Sequence, residues 1–234
     1  AVIYVGDTKY SLAHSTMLPN YAIVDSRLTH GQPAYLTACT GFDALCQAVE
    51  SYWANGATDK SQQYAHRAMT IILDNIKCAV HRPSASVRAS MATAANLSGK
   101  AINISKTTGP HALSYGLTRN YGVPHGHAVA LMMLRFLKLH ADIPENPDWV
   151  QHPKGVNYVN ETMNQLFACM SVDTSKAAAA CWENLMGDCS LTMRLQELGV
   201  NTSDDVDVLI ENINFQRLSN HPIAVSQKIV RSFF

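Results

Sequence analysis

Charge is scarce in this chain, and neither sign dominates. Only 15% of the 234 residues are Asp, Glu, Lys or Arg, and 18 basic residues balance 18 acidic ones. Without a basic excess or a charged tail, the chain lacks the electrostatic footprint of non-specific nucleic-acid binding. Such a balance fits a small-molecule partner and a homo-oligomer, and the long stretches poor in charge point to surface covered by a partner or another domain. No apolar run approaches the ~20 residues a membrane helix needs, and the first residues carry no signal-peptide pattern. The six cysteines (Cys39, Cys46, Cys78, Cys169, Cys181 and Cys189) form no Cys-x-x-Cys pair. Most lie in apolar helical runs, as reduced, buried thiols do, so the protein is expected to be cytoplasmic, with no membrane and no nucleic-acid partner. There is no internal repeat, and the one simple tract, Ala177 to Ala180, is merely a strong helix former.

At this length the chain has room for one large domain or two small ones with a hydrophobic core. Val2-Ile3-Tyr4-Val5 and Tyr21-Ala22-Ile23-Val24 are short β-branched and aromatic runs, with turn signals at Gly6-Asp7-Thr8 and Leu18-Pro19-Asn20. They predict two strands, which are too few for a stable domain, as though cut from a sheet. From about Thr29 the pattern becomes helical. Phe42 to Trp53 places Phe42, Leu45, Val49 and Tyr52 on one face. Further helices are predicted over Ser61 to Val80, Ser86 to Ile104, Ala128 to His140, Asn157 to Met170, Ser175 to Met186, Asp204 to Ile213, and from near Ser226 onward.

Three stretches carry candidate chemistry. Asp43 and Gln47 stand four apart on a predicted helix and so share a face. Taken alone, Thr40-Gly41-Phe42-Asp43 also resembles a capping box, with the carboxylate at a positive helix end. Thr107-Thr108-Gly109-Pro110-His111 is predicted as a loop entering a helix, where exposed backbone N–H groups beside Lys106 would suit an anion or simply be an ordinary N-terminus. In Pro124-His125-Gly126-His127 the proline fixes the approach and the glycine allows a tight bend beside an imidazole. His125 and His127 cannot share a helical face, so one of them at most aims at a given metal. A carboxylate plus imidazoles with an open position suits a catalytic divalent ion, with Asp43, His111 and His125 as the ligands. His14, His30, His66, His81, His140, His152 and His221 lack such surroundings and are expected at the surface or at caps.

Thr40-Gly41-Phe42-Asp43-Ala44-Leu45-Cys46-Gln47-Ala48-Val49-Glu50 resembles the ligand helix of the iron-containing (group III) alcohol dehydrogenases. Gly109-Pro110-His111-Ala112 and Pro124-His125-Gly126 are similar to that family's two later histidine motifs, in order and spacing. Leu18 to Asp25 resembles the preceding strand, and Asn214 to Pro222 the closing segment, so the likeness spans nearly the whole chain. The resemblance implies a mainly α fold, the all-helical C-terminal domain of a dehydroquinate synthase-like or iron alcohol dehydrogenase architecture. Residues 1–28 would be the β remnant of a truncated N-terminal nucleotide-binding domain, and residues 29–234 the helical metal-binding domain.

The implied activity is metal-dependent, NAD(P)-linked interconversion of an aldehyde and a primary alcohol, with Fe2+ or Zn2+ polarising the carbonyl oxygen. By resemblance Asp43, His111 and His125 are metal ligands, and Gln47 is the fourth candidate. The family usually has His at the position of Gln47, and an amide is a weaker ligand than imidazole. Many members have a second histidine at the position of Tyr115, whose phenol is a candidate to donate or relay a proton. The wording from Lys106 to Leu131 resembles the branch that includes phosphonoacetaldehyde reductases. This makes Lys106, Thr107, Thr108 and Arg119 candidates for holding a phosphonate. No Gly-x-Gly-x-x-Gly occurs, and the family's nucleotide loops would lie before Ala1. The chain alone is therefore expected to be inactive. The alternatives are a truncated or stand-alone helical domain that binds metal without catalysis, and a helical interaction module without metal.

Overall fold

A computed structural model describes residues 2–5, 8–11, 14–211, 213 and 215–234. Its organising element is helix α1, Ala34–Trp53, which is buried along most of its length. A helix apolar nearly all round can exist only inside other elements, and α1 packs against α2 (Asp59–His81), α3 (Ala85–Ser105) and α5 (His125–Leu139). Helix α4 (Gly109–Tyr121) pairs with α5, and α7 (Ser175–Asp188) closes over α5 from outside. Phe42 of α1 meets Trp182 of α7 edge to face, with centroids 5.4 Å apart. Each such large side chain, fully withdrawn from water, contributes roughly 1.5–3 kcal/mol. The remaining helices are α6 (Gly155–Cys169), α8 (Ser203–Glu211) and α9 (Gln227–Arg231).

Side-chain caps explain several helix starts. Thr58, Ser84 and Thr174 each accept a hydrogen bond from the backbone N–H three residues on, which caps α2, α3 and α7. Helix α1 begins at Ala34, eight residues before the predicted Phe42, behind Pro33, which makes no side-chain cap. This corrects the capping-box reading of Thr40 to Asp43: both lie inside the helix, and Thr40 Oγ1 donates back to the Leu36 carbonyl. Asp43 is therefore not a cap.

The β expectation is half right. β1 (Val2–Val5) pairs antiparallel with β2 (Thr8–Ser11), Val2 facing Ser11 and Val5 facing Thr8. Tyr21 to Val24 is not a strand, and Tyr21 and Ile23 are 90% and 94% exposed. Among the described residues its β-branched run pairs with no strand, and propensity without pairing does not make a strand. The predicted turn residues Gly6 and Asp7 lie outside the described residues, as does Asn214 of the closing segment.

Of the histidines expected at the surface or at caps, His140, His152 and His221 are buried, His140 at the C-terminal cap of α5. His140 stacks on Trp53 at 4.9 Å, while His221 stands edge-on to Trp53 at 5.3 Å and to Phe136 at 4.4 Å. Sequence distance hid this cluster, since its members come from α1, α5 and two loops. All six cysteines are free, and Cys39, Cys46 and Cys189 are buried. Among the described residues no helix is long and apolar enough to cross a membrane.

Candidate metal centre

From its middle to its last turn, α1 carries three polar residues on one face. Asp43, Gln47 and Glu50 recur at the i, i+4 and i+7 spacing that stacks side chains one above another. Two other helices bring their N-termini to this face. Pro110 starts α4, and Gly109 lets it approach, since a Cβ there would lie 2.2 Å from the Phe136 ring. Pro124 precedes α5, and Gly126 brings that helix onto the backbone of α1 at Cys39. His111 and His125, one in the first turn of each helix, thus meet beside Asp43.

Among the described residues, ligand-type atoms of Asp43, His111 and His125 all lie within 4.8 Å of one another. Asp43 Oδ1 is 3.2 Å from His111 Nε2 and 4.0 Å from His125 Nε2. The two imidazoles stand edge to face at 5.3 Å. Gln47, one turn after Asp43, lies on the same face of α1. Burial alone would raise the Asp43 pKa. The bond and charge of His111, the charge of His125 and the nearby Gln47 amide outweigh it and hold the carboxyl below its ordinary range. For His111, burial pulls the imidazole down, but the Glu50 charge, bonds to Asp43 and Glu50, and the Asp43 charge raise it to about 10.

Tyr115, one turn after His111, stacks flat on His125, with centroids 5.8 Å apart and planes 4° from parallel. Thr108 is buried. Its N–H and hydroxyl both donate to Glu50 Oε1, at 2.9 and 3.0 Å, and its oxygen accepts from the Trp53 indole at 2.9 Å. The N-terminal N–H groups predicted to suit an anion therefore already hold one of the protein's own. Lys106 is exposed with a positive φ of 64°, and its Nζ donates to the Asn103 carbonyl. The Thr107 carbonyl accepts from Asn220. Arg119 is exposed on α4, eight residues beyond His111, or about 12 Å along the axis. His127 is buried away from the cluster, bonded to the Tyr35 hydroxyl and the Thr192 carbonyl. Burial lowers its pKa, and the Thr192 bond offsets only part of this.

Glu50, fully buried, is the residue that sequence reasoning quoted without giving it a role. Its signal was the i+7 spacing from Asp43, since a carboxylate on an apolar helix face needs partners if it is buried.

Residues 37–233 match the sequence model of the Fe-containing alcohol dehydrogenase family, C-terminal. The chain is 30% identical over 187 residues to the phosphonoacetaldehyde reductase of Streptomyces viridochromogenes, covering 79% of this chain and 46% of that protein. It is also 30% identical over 198 residues to the 1,3-propanediol dehydrogenase of Klebsiella pneumoniae, covering 84% and 49%. It thus spans about half the length of the curated relatives it matches. Among solved structures, sulfoacetaldehyde reductase from Bifidobacterium kashiwanohense in complex with NAD+ superposes with a TM-score of 0.81 at 26% identity, over 96% of this chain and 56% of that one. An iron-containing alcohol dehydrogenase from Thermococcus thioreducens, at 19% identity and a TM-score of 0.86 over 100% of this chain and 58% of that one, shares the fold.

Proposed function

Because the chain belongs to the iron-containing alcohol dehydrogenase family, we propose that it is the helical, metal-binding part of an NAD(P)-linked oxidoreductase that interconverts an aldehyde and a primary alcohol. The observation that carries this reading is the convergence of Asp43, His111 and His125 within 4.8 Å. A carboxylate and two imidazoles suit Fe2+ or Zn2+, and Glu50 at His111 Nδ1 leaves Nε2 turned toward Asp43. When bound, the ion acts as a Lewis acid on the carbonyl oxygen, and the nicotinamide supplies or accepts the hydride. Asp43, His111 and His125 would hold the ion, with Gln47, one turn after Asp43 on the same helix face, as a further candidate ligand. Tyr115, flat against His125, is the candidate to pass a proton at its hydroxyl. In this reading residues 29–234 form the metal-binding domain, and residues 1–28 belong with the nucleotide-binding part of the protein.

Two relatives are named for small aldehydes with an anionic group, a phosphonate in one and a sulfonate in the other. We take the same substrate class for this protein, with phosphonoacetaldehyde as its first candidate. Lys106 and Thr107, at the entry to α4, are the residues proposed to meet the anion. Thr108, committed to Glu50, supports them from behind, and Arg119 lies farther along the helix.

Reconstituted with Fe2+ or Zn2+ and dialysed, the protein is expected to retain about one ion per chain by elemental analysis. Asp43→Ala and His111→Ala should each weaken binding by at least about 100-fold, more than loss of an outer partner usually costs. A wild-type protein that retains no ion would refute the metal centre. In the complete protein, NAD(P)H oxidation should favour phosphonoacetaldehyde or sulfoacetaldehyde over propanal by at least tenfold in kcat/KM, about the effect of one charge-assisted contact. Turnover of uncharged aldehydes alone would end the anionic-substrate proposal.

A further inference from the structure

We infer that Glu50 is a positioning residue that sets the tautomer of His111, so that Nε2 is the atom free to bind a metal. The inference rests on the metal-centre reading and deepens it. Glu50 is 0% exposed in the last turn of α1, a place that a carboxylate occupies only when its oxygens are fully engaged. Three donors converge on Oε1: the Thr108 N–H at 2.9 Å, the Thr108 hydroxyl at 3.0 Å and the His111 N–H at 3.2 Å. The direction of the hydroxyl bond is forced. The Trp53 indole N–H can only donate, and it donates to Thr108 Oγ1, so the Thr108 hydrogen is left for Glu50. The other carboxylate oxygen, Oε2, bonds His111 Nδ1. A carboxylate accepts, so Nδ1 carries a hydrogen held by Glu50, while Nε2 faces the Asp43 carboxylate and is the nitrogen whose hydrogen an ion entering beside Asp43 and His125 would displace.

This arrangement makes Glu50→Gln a directed probe, because the two side chains have nearly the same shape. With three donors aimed at Oε1, the glutamine carbonyl takes that side and its NH2 faces His111 Nδ1. Two donors cannot face each other, so Nδ1 becomes the acceptor and the ring hydrogen moves to Nε2, the atom a metal would need. A purely structural tie between α1 and α4 would not require this. Its loss would alter stability and leave the imidazole's tautomer alone.

The decisive measurement is the long-range 1H–15N spectrum of the zinc-loaded wild-type protein. Its His111 should show a protonated Nδ1 and a metal-shifted Nε2; an unprotonated Nδ1 overturns the inference without any variant. Glu50→Gln, with helical circular dichroism retained, should bind Zn2+ or Co2+ about 10–100-fold more weakly than wild type, the usual cost of removing a partner behind a ligating histidine. Wild-type affinity in Glu50→Gln also overturns it. His111→Ala separates the two readings. If it binds metal as well as wild type, the metal centre itself is wrong. If it loses metal while Glu50→Gln does not, only the role of Glu50 fails.

Discussion

Gly126→Ala is expected to abolish metal retention and to lower the free energy of unfolding by at least about 3 kcal/mol, the upper end of ordinary overpacking. The added Cβ would stand 1.9 Å from the carbonyl oxygen of Cys39, 2.7 Å from its carbonyl carbon and 3.0 Å from Asp43 Cβ. The first two contacts are backbone atoms inside a buried helix, so no side chain can swing aside. The N-terminus of α5 must withdraw, and His125, the preceding residue, moves away from Asp43 with it. Equilibrium denaturation and a metal-binding titration on the same protein would check both effects. Gly99→Ala is the control. Gly99 is exposed inside α3, and a Cβ there meets nothing within 4 Å. That change should leave metal binding intact and add about 0.5–1 kcal/mol through helix propensity. A Gly126→Ala protein with wild-type midpoint and affinity would show that the close approach of the two helices is dispensable.

The second large effect expected is a loss of stability in mild acid, set by His140 and His221. Both rings are buried against Trp53, and none of their four nitrogens has a hydrogen-bond partner among the described residues. Burial lowers the pKa of His140 from 6.5 to about 3. Burial, with the neighbouring His140 charge, pushes His221 well below its ordinary value. The folded rings therefore stay neutral where the unfolded chain takes up protons. The stability is fully present above pH 6.5 and is lost as pH falls from there toward about 3. With each pKa unit worth about 1.4 kcal/mol, His140 alone should cost the fold on the order of a few kcal/mol by pH 4, and His221 adds to it in the same direction. Replacing both by Phe should keep ring packing and flatten the thermal midpoint between pH 7.5 and 4.5. Carboxylates such as Asp43 shift stability in the same direction, so the difference between wild type and double variant is the informative quantity. Parallel pH profiles for the two proteins would rule out the histidines as the source.

Where signals were local, the sequence was informative. The predicted starts of α2, α3 and α7 fall within two residues of the observed ones, because Thr58, Ser84 and Thr174 are caps whose effect is confined to one turn. The start of α1 was missed because no side chain caps it, and Tyr21 to Val24 was misread because strand propensity says nothing about a partner. Ligand candidates Asp43, His111 and His125 were legible from residue type and wording, since each sits beside a helix start or a glycine that such a site needs.

What surrounds those residues was not legible. Nothing in the order of amino acids says that Glu50 lies behind His111, 61 positions away. Nor does it say that Thr108 spends its hydroxyl on Glu50, or that Trp53 gathers two histidines from distant loops. By itself the sequence determined most of the helices and the identity of the candidate ligands, because those depend on neighbours within one or two turns. Tertiary structure alone decided which nitrogen of His111 faces Asp43, which amide groups are already taken and which histidines are dry. Those outcomes depend on burial and on the direction of hydrogen bonds between helices that meet only after the chain has folded.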